Sequence, residues 1–218
     1  MAGKRAKTRT TLRRMPDNGC FDRELIHSII DQALVCHVGF TVDGQPMVIP
    51  TCHWRDGDSI YWHAHSKAQN IKGAGDNEVC ITITLLDGLV LARSAFSHSV
   101  NYRSVMIFGR PQAVDDPAEK VHQLELMVNK LTPGRWSQLR PVTDQEIKAT
   151  GVLKLDLNEL SCKVREGGPH DDDQDLSWPV WAGVAPISTI YEQLEPASDL
   201  QDSFDLPHLC SLPNSQSC

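Results

Sequence analysis

No apolar run in the 218 residues approaches the roughly 20 that a membrane-spanning helix needs, and the start lacks the continuous apolar core of a secretion signal. A cytoplasmic protein is expected. Positive charge is in deficit too. With 21 Lys and Arg against 28 Asp and Glu, the formal net charge is -7, which argues against nucleic acid as the main partner. CxxC pairs are missing, and the seven cysteines are scattered (Cys20, Cys36, Cys52, Cys80, Cys162, Cys210 and Cys218). Their odd number in a chain of this size points to buried reduced thiols rather than a disulfide frame. There is no Walker A loop, GxGxxG, HExxH or GxSxG, which removes several enzyme classes.

What is present divides the chain into three parts. Residues 1–14 form a basic arm with Lys4, Arg5, Lys7, Arg9, Arg13 and Arg14, expected as a frayed terminus. Residues 15–191 carry the periodic segments of one domain. Residues 192–218 are polar, Ser-rich and broken by proline, and little fixed structure is expected there. Asp22 is placed as the N-cap of an amphipathic helix over 23–33. Strands are expected over 34–42, 46–54 and 59–63, joined by turns at Asp43-Gly44 and Asp56-Gly57. One or two helical turns over 66–73 follow, then a strand over 79–86 ending in an Asp87-Gly88 turn. A long β segment spans 100–114, with Gly109 marking a bulge or close approach. Helices are expected from Pro117 to about 131 and over 144–149, the second with a Thr143/Glu146 capping box. Strands over 152–157 and 162–165 close the pattern, followed by a solvated loop over 167–173 and an apolar island over 178–187. Strands never alternate with long crossover helices. The fold class expected is therefore mainly β, an antiparallel barrel with peripheral helices.

Three stretches have the residues for chemistry. In Trp62–Lys72 a strand ends in a polar turn, where Ser66, exposed amides, Lys67 and Lys72 offer the directional donors and positive charge that a phosphate wants. His63 and His65 are two apart and share a strand face. As a metal pair, even with His53, they lack the spaced partner a site needs, so no metal is expected. In Pro46–Thr51, Pro50 interrupts an apolar strand and implies unpaired backbone that could bond a ligand's heteroatoms. In Ser99–Gly109, Asn101, Tyr102 and Arg103 are polar groups at the entry to a long strand. Each stretch also reads as ordinary surface: a solvated turn, an edge strand and a strand with one wet face.

Taken in order, these stretches resemble the pyridoxamine 5'-phosphate oxidase-like FMN-binding proteins, nearest the nitroimidazole-resistance (Nim-type) branch. The similarity covers roughly residues 10–187. Pro46–Pro50, Trp62–Lys72, Tyr102–Val105 leading to Phe108-Gly109, and Trp181–Val184 with Pro186 carry it. It implies a Greek-key-like split β-barrel and a homodimer with FMN at the interface. Val48, Ile49, Pro50 and Thr51 would line the flavin. His63, Ala64, His65 and Ser66 would run past the ribityl chain, and Lys72 would pair with the phosphate. Ser104 and Trp181 are further expected contacts, Trp181 from either subunit. His63 and His65 are the candidates for a catalytic histidine. The expected activity is an FMN-dependent oxidoreductase reducing a nitro- or quinone-like acceptor. A non-catalytic flavin or haem carrier is the alternative, and a metal-dependent barrel enzyme a second. The oxidase's Arg-Lys pair is replaced by Ser66-Lys67-Ala68, and its arginine-rich C-terminal segment by a Trp/Gly/Pro-rich island, so pyridoxamine phosphate oxidation is not expected.

Overall fold

The computed structural model describes residues 9–11, 18–65, 77–200, 204, 206, 207 and 209, with position 65 described by its backbone. The helical turns expected over 66–73, with Ser66, Lys67 and Lys72, lie outside the described residues. No described helix is long and apolar enough to cross a membrane.

Ten antiparallel strands form one sheet: β1 (Gly19–Cys20), β2 (Val35–Val42), β3 (Gln45–Asp56), β4 (Ser59–His65), β5 (Val79–Leu91), β6 (Ser99–Gly109), β7 (Gln112–Ala113), β8 (Thr150–Asp156), β9 (Glu159–Arg165) and β10 (Gly183–Pro186). The path runs β1-β9-β6-β5-β2-β3-β4-β8-β7, with β10 added to the far end of β5. The sheet is not closed, but it curls around a shared core. Ile81 and Ile83 of β5, Val105 and Ile107 of β6, and Ile60 and Trp62 of β4 all pack in one buried cluster.

Helix α1 (Arg23–Gln32) covers this core with Ile26, Ile29 and Ile30, and the Asp22 side chain accepts from the Glu24 amide as its cap. Its last turn has no basic residue. Lys130, from α2 (Pro117–Leu131), supplies one, donating to the carbonyls of Ile30 (3.1 Å) and Ala33 (2.8 Å). α2 lies on the opposite face of the sheet, where Leu126 and Met127 pack against Trp54, Tyr61 and Val152. The short α3 (Asp144–Ala149) carries the expected capping box.

Two expectations are corrected. Asp87-Gly88 is not a turn: β5 runs on to Leu91 through an irregularity between Leu86 and Gly88. Arg103 across the ladder holds the Asp87 carboxylate at 2.7 and 3.0 Å, and Gly88 pairs with Pro186, where a Cβ would stand 3.1 Å from the Ala185 carbonyl. The 167–173 loop is not simply solvated. The Asp171 side chain is only 2 % exposed and accepts from the Arg93 amide and guanidinium.

Candidate functional site

The strand pleat sorts the side chains. On β2, Cys36, Val38 and Phe40 point into the core, so Val35, His37, Gly39 and Thr41 lie on the outer face. Register carries that face across the sheet. Met106, Thr82, His37 and Pro50 form one cross-strand row, and Phe108, Cys80, Gly39 and Val48 form the next. Ser104, opposite Thr84 and Lys163, belongs to the same face. On β4, Trp62 points into the core, so His63 points outward, beside the outward Trp54 with ring centroids 6.0 Å apart.

Of the expected contacts, Val48, Pro50, His63 and Ser104 therefore share the outer face. His65 is the last residue of β4, where the backbone alone is described. Ile49, Thr51 and Ala64 fall on the other side of the pleat, where Ile49 packs against the core. They can meet an outer-face ligand through backbone atoms only. His53, considered as a third metal ligand, also points inward. It is buried and donates from Nε2 to the Ile30 carbonyl at 2.9 Å, so the sheet separates it from His63.

β3 and β4 diverge. They pair only from His53 to Asp56, while the rest of β4 stays with β8 and Gln45–Cys52 stays with β2. Half of the backbone groups of that β3 segment face away from β2, with no strand beside them among the described residues. The result is a fork with Val48 and Pro50 on one prong and His63 on the other. Pro50 is four residues from Trp54, roughly 13 Å at about 3.3 Å per residue.

The fork's walls are apolar and open. Val48 is 66 % exposed, and Val35 and Met106 of the same face are exposed too. A cavity of about 350 Å³ begins at Val48 and is bounded by Gly39, Cys80, Phe108, Glu78 and Arg9. The Arg9 guanidinium lies 5.0 Å over the Phe108 ring and pairs with Glu78 (2.6 Å) and Glu159 (2.7 Å). One residue of the basic arm is thus docked on the sheet. His63 is half-buried, and burial lowers its pKa, holding the imidazole neutral at pH 7. Its Nδ1 is buried with no hydrogen-bond partner among the described residues.

Two expected polar groups are occupied elsewhere. Arg103 binds Asp87 and Gln32, and Asn101 binds Arg165 and the Gly167 carbonyl. Trp181 is 65 % exposed and stands apart from the fork. Its neighbour Gly183 pairs with Leu91, nine residues along β5 from Thr82, up to about 30 Å away.

Sequence reasoning missed Gln123, which has no exposed surface. It accepts from Trp54 Nε1 at 2.7 Å and donates to Asp56 and Glu119. The other α2 residues packed against the Trp54 cluster are Leu126 and Met127. A polar residue on a helix between hydrophobic positions has no local mark of burial.

No curated protein matches the chain. Among solved structures, the flavocytochrome Anf3 of Azotobacter vinelandii is 41% identical, covering 92% of this chain and 94% of that one with a TM-score of 0.88. The FAD and haem binding protein of Mycobacterium smegmatis is 31% identical, covering 87% of this chain and 94% of that one (TM-score 0.83). A protein of Bacteroides thetaiotaomicron described as a 5-nitroimidazole antibiotic resistance protein is 29% identical, covering 67% and 86% (TM-score 0.57). The family profile described as pyridoxamine 5'-phosphate oxidase matches residues 22–164, from the N-cap of α1 to the end of the β9 ladder. That span holds the curled sheet, the forked strands and the outward histidine, and the chain belongs to the pyridoxamine 5'-phosphate oxidase-like family.

Proposed function

We propose that this chain is a redox protein that binds a flavin at the β3–β4 fork and a haem beside it, and passes electrons to a small organic acceptor. The observation that carries the reading is the fork itself: a strand edge with no partner strand among the described residues, next to an apolar wall and a neutral imidazole. An isoalloxazine ring asks for this combination, because it has two broad apolar faces and one edge of hydrogen-bonding heteroatoms. The residues therefore fit the group. A flavin, once bound, supplies electron transfer in one- or two-electron steps.

The chain's own part follows from its geometry. The open edge of Gln45–Cys52 would bond the heteroatom edge of the ring. Val48 and Pro50 would keep water from one face. The neutral His63 would offer an N–H to a nitro or quinone oxygen as negative charge builds there. On the family resemblance, Ser66 and Lys72 would hold the phosphate and Ser104 would be a further contact.

That resemblance points to FMN. The mycobacterial relative is named for FAD and covers nearly the full chain, so FAD is the flavin we assign. FAD carries the same ring, ribityl chain and first phosphate, and the same anchor serves both. Haem enters through the same two long-range relatives, a flavocytochrome and a FAD and haem binding protein. The sequence has no CxxCH, so a haem here would be held non-covalently, and among the described residues His37 is the outer-face imidazole left for it. A homodimer would cover the exposed outer face and bring Trp181 of one subunit towards the fork of the other.

The visible spectrum of the purified protein tests this. Flavin bands together with a Soret band are expected, and mass analysis of the flavin released by heat should give FAD. A released FMN would return the assignment to the smaller cofactor. A colourless protein that takes up neither flavin would overturn the reading.

A further inference from the structure

Five cysteines are described, all as free thiols, and one pair of them stands directly opposite across a ladder. Cys20, in the two-residue strand β1, is the register partner of Cys162 in β9. Cys162 faces the core with Val105 and is fully buried, and Cys20 packs against the same core. The Cys20 thiol stands close enough to Cys162 to help burial hold its proton on. Opposed residues of an antiparallel pair have Cα atoms about 4.5 or 5.5 Å apart, inside the range a disulfide spans without backbone movement. The other described cysteines lack this arrangement. Cys36 is paired with Thr51, Cys52 with Val35, and Cys80 with Gly39 and Phe108.

We propose that Cys20 and Cys162 form a reversible disulfide that staples the start of the domain to β9. Cys20 is half-buried and is the thiol an oxidant reaches first. With a low-molecular-weight disulfide as the oxidant, the Cys20 thiolate attacks one of its sulfurs and releases one small thiolate. That thiolate takes the Cys162 proton. Cys162 then attacks the Cys20 sulfur and expels the second small thiolate, which is protonated by solvent with the proton Cys20 gave up. Two protein thiols are oxidised and one small disulfide is reduced to two thiols. Burial raises the Cys162 pKa to about 12, which slows the second step.

The staple acts on a marginal element. β1 is two residues long, pairs only with β9, and leads within two residues to the cap of α1. Closing a loop of about 140 residues constrains the unfolded chain strongly, so the melting temperature should rise by roughly 5–15 °C. The thiols lie on the core face, away from the fork, so the visible spectrum should not change.

The test incubates the full-length protein, as purified, with oxidised glutathione. Expected are an intact mass lower by two hydrogen atoms, a Cys20–Cys162 cross-linked peptide, a higher melting temperature, and reversal by dithiothreitol. Replacing the core thiol risks the fold, so Cys20→Ser serves as the control and should show none of these. A persistent glutathione adduct on Cys20, an unchanged mass, or the same loss of hydrogens in C20S would overturn the pairing. A cross-link that leaves the melting temperature unmoved would overturn the staple.

Discussion

His53 shows how a single buried group ties stability to pH. It sits in the core face of β3, its Nε2–H on the Ile30 carbonyl and its Nδ1 without a partner among the described residues. Burial, with the nearby Lys130 cation adding to it, pushes its pKa down to about 3. The folded protein therefore refuses a proton that the unfolded chain accepts below about 6.5. The corresponding stability is fully present above pH 6.5 and drains away as the pH falls towards 3. Over that window it amounts to a few kcal/mol at most, so urea midpoints should fall from pH 6.5 to 4.5 in the native protein. The fall should be shallower in His53→Gln. Equal slopes would show that His53 is not the group responsible. Gln123 illustrates the other kind of buried polar residue: fully satisfied, with Trp54, Asp56 and Glu119 meeting its amide from both sides.

Elements whose cause is local were legible in the sequence. Asp22 caps α1, the Thr143/Glu146 box starts α3, and the Asp43-Gly44 hairpin takes positive φ at both residues. In each case the residues that decide the structure are within four positions of one another. Asp87-Gly88 carries the same turn chemistry and was misread, because what overrides it comes from Arg103, 16 residues on, and from β10, about 100 residues on. The site was legible in part. Its stretches were found, but the side of the pleat each residue takes depends on pairing with β2, β5 and β6. Gly109 was read as marking a bulge or a close backbone approach; what stands close is a side chain, since a Cβ there would lie 2.8 Å from Leu155 Cδ1. Gly109→Ala should cost roughly 1–3 kcal/mol in denaturant unfolding, since the buried Leu155 side chain would have to shift and alanine disfavours the positive φ that Gly109 adopts. Leu155→Ala in the same chain should recover part of that cost relative to the sum of the single changes. Strict additivity would show that the two residues do not touch.

Across the whole molecule, apolar surface is unevenly spent. The sheet's outer face shows Val48, Met106 and Val35, and Phe96 is 95 % exposed at the tip after β5. Exposed apolar residues on one sheet face are the material of a contact surface, and the proposed homodimer would cover them. A solution mass twice that of the chain is expected by light scattering, and a monomer at micromolar concentration would leave the outer face without its proposed cover. A second and larger cavity, about 760 Å³, lies between Arg135 and Gln138 and the C-terminal residues Leu194, Leu200 and Phe204. It shares no residue with the fork, so the two locations can be told apart. Hydrogen exchange of the flavin-free and flavin-loaded protein does so directly. Loading should slow exchange along Gln45–Cys52 and around His63, where an unpaired strand edge gains partners. Slowing confined to residues 194–207, with the β3 edge unchanged, would contradict the placement of the flavin at the fork.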